Sequence, residues 1–406
     1  MQRTGSSRRG RLCRLFAIIS TAFCFLYVSQ QPVGHWTNSV VIAGNVGGRG
    51  VVRVGGDAAD SCGLGLPKGV TAVHPCADGV GIFGVGVSRV FVTFIGEFMN
   101  EWYLSSLRSL VLVHCAEPDV VVIVWANELT DAWFEGALGD LRDARGVPRV
   151  RLVRYNGTEL AAGVAGAERS MAYLQDPVRK KGAEPGAFHP LEPQMLMAHI
   201  TDVLRMVILY RFGGVYLDID ILPLRPVHAL GTRFAANLGN YECTQGLAKG
   251  WPNDGPVNMP ASLGGDRVSC MCVCFLSFPT PRNALIGEVL DRGLDAFLQR
   301  NGVYGGFGAW VFMDALRVLA PTPGFDASPL SVTDILCWPS VLDALTPQSE
   351  ENVEAILRDC TAIHMMGGGH ARKFSANASG EDTLFGQVYT RANKRGTIPN
   401  TCGRGR

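Results

Sequence analysis

Residues 204–220 constrain this chain more than any other segment. An apolar helical stretch runs into Gly213-Gly214, then into the β-favouring Val215-Tyr216-Leu217, and then into Asp218 and Asp220, one residue apart. Leu196, Ile200, Val203, Leu204 and Val207 recur at three- and four-residue steps, which marks one buried helical stripe starting near Glu192 or Pro193. Gly213 is the natural left-handed stop, and Gly214 loosens the turn that follows. In extended geometry Asp218 and Asp220 face the same side. Two carboxylates at the end of a buried strand suit an oxygen-loving divalent cation, and through it a diphosphate. Asp202 and Arg205, three apart, are neighbours on the helix before them.

Flanking segments alternate in type. Residues 90–94 read as a first strand, 101–115 as a helix through Leu104, Leu107 and Val111, and 120–125 as a strand buried on both faces. Helix signals at 131–142, a strand at 150–153, a buried strand at 270–278 and helices at 282–299, 310–319 and 350–357 follow. This alternation argues for an α/β fold with a mostly parallel central sheet. Residues 157–190, polar, Gly-rich and carrying Arg179-Lys180-Lys181, read as an insertion loop. Residues after 373 show little periodicity and read as a tail.

The amino terminus has a different character. Arg3, Arg8, Arg9, Arg11 and Arg14 precede an apolar run at 15–28. Tyr27 sits where a cleavage site wants a small residue, so an uncleaved signal anchor is favoured over a signal peptide. The arginines would hold residues 1–14 in the cytosol and the rest of the chain in a lumen, as a type II membrane protein. Of the 12 cysteines, Cys13 and Cys24 fall in this amino-terminal part and leave an even number suited to disulfides in an oxidising compartment. Cys270, Cys272 and Cys274 alternate, so they share one strand face. Their spacing is not the C-x-x-C usual for zinc, which favours disulfides or buried thiols. Two sequons begin at Asn156 and Asn377. Residues 29–87, rich in Gly and Val, read as a stem. With a net charge of +1, nothing argues for a nucleic-acid surface.

The pattern of Asp202, Arg205, Tyr210, Gly213, Gly214, Tyr216, Asp218 and Asp220 resembles the sugar-binding region of the DXD glycosyltransferases of family 32 and of the α-1,4-glycosyltransferases related to globotriaosylceramide synthase. A weaker resemblance extends over residues 88–369. Cys270, Cys272 and Cys274 stand where relatives often carry Asn-Gly, Ala309 follows Gly308 where they carry Gly-Pro, and Met365 and Met366 follow His364 where many have His-x-Trp. The resemblance implies a GT-A, Rossmann-like nucleotide-sugar-binding domain over 88–372, with 373–406 as tail. It implies Mn²⁺, a UDP- or GDP-sugar donor, a glycan or glycolipid acceptor, retention of the α-linkage and a Golgi or ER membrane setting. Asp218, Asp220 and His364 would hold the metal. Asp202 and Arg205 would hold the donor sugar, Tyr216 would lie beside the nucleotide, and Val92, Thr93 and Phe94 would approach the base. Asp202, Arg205, Asp218 and Asp220 would form the catalytic set, with Asp266 and Asp314 the candidates for a nucleophile. Two alternatives stay open: a degenerate transferase that binds glycans without turnover, and a metal-dependent phosphohydrolase. The second would want a denser carboxylate and histidine cluster.

Overall fold

Val90, Val92 and Phe94 turn to one side of the first central strand and Phe91 to the other, and the two sides seed two separate cores. The computed structural model describes residues 70–72, 87–97, 99–143, 146–176, 193–238, 256–299, 307–332, 346–364, 383–399 and 402. The expected anchor at 15–28, nearly all of the stem, the Arg179-Lys180-Lys181 triplet and the Asn377 sequon lie outside them. Among the described residues, no helix is long and apolar enough to cross a membrane.

In chain order the strands are β1 (Val70–Ala72), β2 (Ser88–Phe94), β3 (Val120–Ala126), β4 (Val150–Tyr155), β5 (Gly214–Leu217), β6 (Ile221–Pro223), β7 (Arg233–Leu238), β8 (Val257–Asn258), β9 (Arg267–Phe278), β10 (Ser328–Ser331) and β11 (Ala362–His364). The helices are α1 (Glu101–Val113), α2 (Asp131–Leu138), α3 (Gly157–Ala161), α4 (Ala165–Gln175), α5 (Pro193–Phe212), α6 (Ala284–Gln299), α7 (Ala309–Leu319), α8 (Glu350–Asp359) and α9 (Leu384–Lys394). The main sheet runs β1-β4-β3-β2-β5-β9-β7-β10, with β8 on β9. Its block β4-β3-β2-β5 is parallel throughout, and β9 enters antiparallel to both β5 and β7. Helices α1, α2, α8 and α9 cover one face, and α3 to α7 cover the other. The α/β fold is the one that the alternation of elements predicts, here in three layers with helices on both faces of the sheet.

Strand order decides where a ligand can sit. The chain moves outward from β2 to β3 to β4, then returns to place β5 on the other side of β2. The crevice beyond the carboxyl ends of β2 and β5 is therefore the topological switch point. Helix α5 delivers the chain to it. Gly213 takes φ +65° and ends the helix with its N–H on Leu209 O at 2.9 Å, as the sequence predicts. Any Cβ there would lie 2.4 Å from Pro279 O, and one at Gly214 would lie 2.7 Å from Arg89 O, so neither position has room for a side chain.

Three segments differ from their sequence reading. Residues 157–161 and 165–175 are helices rather than loop, and Leu160, Ala161, Ala167, Met171 and Leu174 enter the core beside α5. Asn156 starts the first by accepting the N–H groups of Thr158 and Glu159. Val70–Ala72, inside the expected stem, adds an antiparallel edge to β4. Helix α9, inside the expected tail, buries Leu384, Phe385, Val388 and Ala392, and Phe385 stacks on Trp102 of α1 at 4.2 Å between centroids.

Two disulfides differ greatly in span. Cys115–Cys402 joins residues 287 apart, and Cys272–Cys274 joins residues two apart. In the chain-entropy view the first restrains the unfolded chain by more than about 5 kcal/mol, and the second by roughly 2 kcal/mol or less.

Candidate active site

Asp218 follows the last residue of β5, and the chain turns at once, with Ile221 N–H on Asp218 O at 3.0 Å. The two aspartates therefore do not share a side through extended backbone, as the spacing suggested. The turn brings them together instead. β6 then pairs antiparallel with β11, in register His364↔Ile221, which sets the histidine beside Asp220. His364 Nε2 lies 3.3 Å from Asp220 Oδ1. Ligand atoms of Asp218, Asp220 and His364 all fall within 4.8 Å of one another.

Arg205 organises the other half of the site. Its guanidinium reaches Asp202 Oδ1 at 2.9 Å, Asp218 Oδ1 at 2.9 Å and the carbonyl of Val273 at 2.8 Å, with Nε on Thr201 O at 3.4 Å. It also lies over the Tyr216 ring, 4.5 Å from its centroid. The Tyr216 hydroxyl donates to Asp218 and sits 3.5 Å from Thr93 Oγ1. Arg205 thus spends its donors on protein groups, and its part is to fix both carboxylates. Burial pushes the Asp202 carboxyl up to about 6, outweighing the pull of Arg205, and Asp218 adds to the rise. Burial alone would lower the His364 imidazole, but Asp220, with Asp218 behind it, turns the net shift upward. Burial raises the Tyr216 phenol well above its ordinary range.

A break in β9 completes the site. Pairing to β7 jumps from Phe234↔Leu276 to Ala235↔Cys272. The bulge leaves Cys274 O to accept Asp218 N–H at 2.9 Å and Val273 O to accept Arg205. Gly308 closes against it: a Cβ there would meet Asp202 Oδ2 and Val273 Cγ2, each at 3.0 Å.

Among the residues expected to approach the base, Val92 is 2 % exposed and packs in the core, Thr93 touches Tyr216, and Phe94 ends β2 beside the Tyr103 ring at 6.3 Å between centroids. Asp314 is held by Arg317 at 2.9 Å. Tyr103, in the first turn of α1, escaped the sequence reading. Burial, and then Asp220 and Asp218, raise its phenol, which marks it as a neighbour of both carboxylates. No spacing in the sequence announces it, because α1 reaches the site only through the fold. Two further groups of potential ligands stand among the described residues: Cys272 with Cys274 and His364, and His114 with Glu117 and His228.

Residues 114–237 match the family described as "Glycosyltransferase sugar-binding region containing DXD motif". No curated protein matches the chain. Among solved structures, the galactosyltransferase LgtC in complex with donor and acceptor sugar analogs is similar at 14 % identity and TM-score 0.39, over 75 % of this chain and 95 % of that one. PaToxG glycosyltransferase is similar at 14 % identity and TM-score 0.38, over 58 % of this chain and 70 % of that one. The bifunctional glycosyltransferase WbbM gives 9 % identity and TM-score 0.39, over 78 % and 50 %. Likenesses this slight carry no argument about activity.

Proposed function

We propose that this chain, a glycosyltransferase of the DXD type, moves a sugar from a UDP- or GDP-sugar to a glycan or glycolipid, with Mn²⁺ and with retention of the α-linkage. One observation carries the reading: Asp218, Asp220 and His364 converge at the sheet's switch point, beside a fixed Asp202–Arg205 pair. The donor set fits the metal. Two carboxylates and one imidazole are the oxygen and nitrogen ligands that suit Mn²⁺. When bound there, the ion would supply Lewis-acid stabilisation of the departing diphosphate.

The remaining roles belong to the chain. Arg205 holds Asp218 and Asp202 at fixed positions, so neither must reorganise when the donor arrives. Asp202 offers its carboxylate to a sugar hydroxyl, and Gly308 packs against it where any Cβ would crowd Oδ2. The Tyr216 hydroxyl, with Thr93 Oγ1 beside it, holds Asp218, and Tyr103 stands close to both carboxylates. The amino-terminal anchor would hold this domain in the lumen of the Golgi or ER, a setting that the disulfides suit.

The test is release of nucleoside diphosphate by the purified full chain from a panel of nucleotide-sugars. One donor should be turned over with Mn²⁺, and a chelator should abolish the signal. Turnover that is indifferent to the chelator would overturn the metal role.

A further inference from the structure

We propose that Cys272 and Cys274, once their disulfide is opened, form with His364 a thiophilic metal site that takes Zn²⁺ and withdraws His364 from the two aspartates. Three observations meet here. Ligand atoms of Cys272, Cys274 and His364 lie within 4.8 Å of one another, the same compass as Asp218, Asp220 and His364. The histidine is common to both sets, so the two cannot be filled independently. The sets also differ in kind: two sulfurs and a nitrogen prefer Zn²⁺, whereas two carboxylates and a nitrogen accept harder ions. With three protein ligands, the fourth tetrahedral position stays open to water.

Of Cys272–Cys274 and Cys115–Cys402, the first is the one whose opening disturbs the chain less. It is joined across two residues only, so its loss restores little freedom to the chain, whereas Cys115–Cys402 closes a span of 287. Cys274 is buried and Cys272 is partly buried. Reduction breaks the Sγ–Sγ bond. A dithiol supplies two electrons and two protons, leaves as its own disulfide, and yields two thiols. Zn²⁺ then binds the thiolates, and two protons go to solvent. Cys274 O accepts the Asp218 N–H, so the strand that carries both cysteines runs beside Asp218. The metal site itself does not depend on the proposed transfer reaction. Only its inhibitory consequence rests on that reading.

Cobalt reads the site without donor sugar. The full chain would be titrated with Co²⁺ before and after treatment with a phosphine, which leaves as its oxide. We expect a thiolate-to-cobalt charge-transfer band in the reduced chain only. It should vanish in the Cys272→Ser/Cys274→Ser pair and bind roughly tenfold more weakly in His364→Ala. Cys272→Ala removes the disulfide but keeps one thiol, and should bind at least as weakly. Its melting transition, taken alongside, separates lost ligands from lost folding. An equal band in the double variant, or a band in the oxidised chain, overturns the proposal. In the transfer assay, Zn²⁺ should inhibit reduced wild type and spare the double variant. Equal inhibition of both overturns the competition for His364, while no turnover in any sample, with the cobalt result intact, faults the transferase reading alone.

Discussion

The Asp218–Asp220–His364 and His114–Glu117–His228 clusters look alike by distance and are opposite in chemistry. In the second, Val227 N–H donates to His114 Nε2 at 3.0 Å, so that nitrogen must be the acceptor, and Nδ1–H donates to Leu110 O at 2.8 Å. Both ring nitrogens are used, and no lone pair is left for an ion. His228 pairs with Glu117 at 2.9 Å. The cluster pins the segment after β6 onto the end of α1. In the first cluster, two carboxylates and an imidazole lie within 4.8 Å, and Arg205, 2.9 Å from Asp218 Oδ1, balances part of their charge from one side. Closeness of ligand types does not make a site. What remains after the backbone has taken its share does.

The sharpest way to break that contrast is to remove one ligand from each cluster. Asp220→Asn should lower kcat for nucleoside-diphosphate release by about a thousandfold or more, while His228→Gln should leave it near wild type. Comparable losses in both would erase the distinction. Acid offers a second probe. Burial holds His114 at about 4, against an ordinary 6.5. His199, wedged between Phe297 and Phe307 with centroids at 5.0 and 5.8 Å, is also lowered to about 4 by burial. The unfolded chain then binds more protons than the folded one between these values. Stability is therefore full above 6.5 and falls as pH drops toward 4, by up to about 3 kcal/mol for each histidine. Urea melts across that range should show the slope, and His199→Phe should flatten it; an unchanged slope would put the acid sensitivity elsewhere. The smallest expected effect is at Gly308. Gly308→Ala presses on Asp202 and Val273 and should lower kcat/KM by roughly tenfold with little change in melting temperature. A large stability loss would instead make Gly308 a packing residue.

Much of this was legible in the sequence, and for stated reasons. The helix stripe of α5, its Gly-Gly stop and the strand that follows are local signals, set by periodicity and by backbone freedom at one residue. Asp202, Arg205, Asp218 and Asp220 ride on those elements, so their meeting could be anticipated. His364 came only through resemblance, because its place depends on β11 pairing with β6, more than a hundred residues away. The bulge in β9 could not be read at all, since it depends on which residue of β7 faces which of β9. Helix α9 is a different kind of miss. Leu384, Phe385, Val388, Tyr389 and Ala392 form a helical stripe, but a short one between polar neighbours, and its burial rests on Trp102 far upstream.

The contact between α1 and the last residues also bears on manufacture. Tyr103 reaches the carboxylates from a helix whose outer side is covered by Phe385, and the turn after that helix is tied to Cys402. A growing chain emerges in order, so the Trp102 side of α1 lacks Phe385 while nearly three hundred further residues are made. Its apolar side is a natural station for a chaperone, and Cys115 must be kept from early partners until Cys402 arrives. The Cys115–Cys402 bond should therefore form late in folding, after the residues that cover Trp102 have been made.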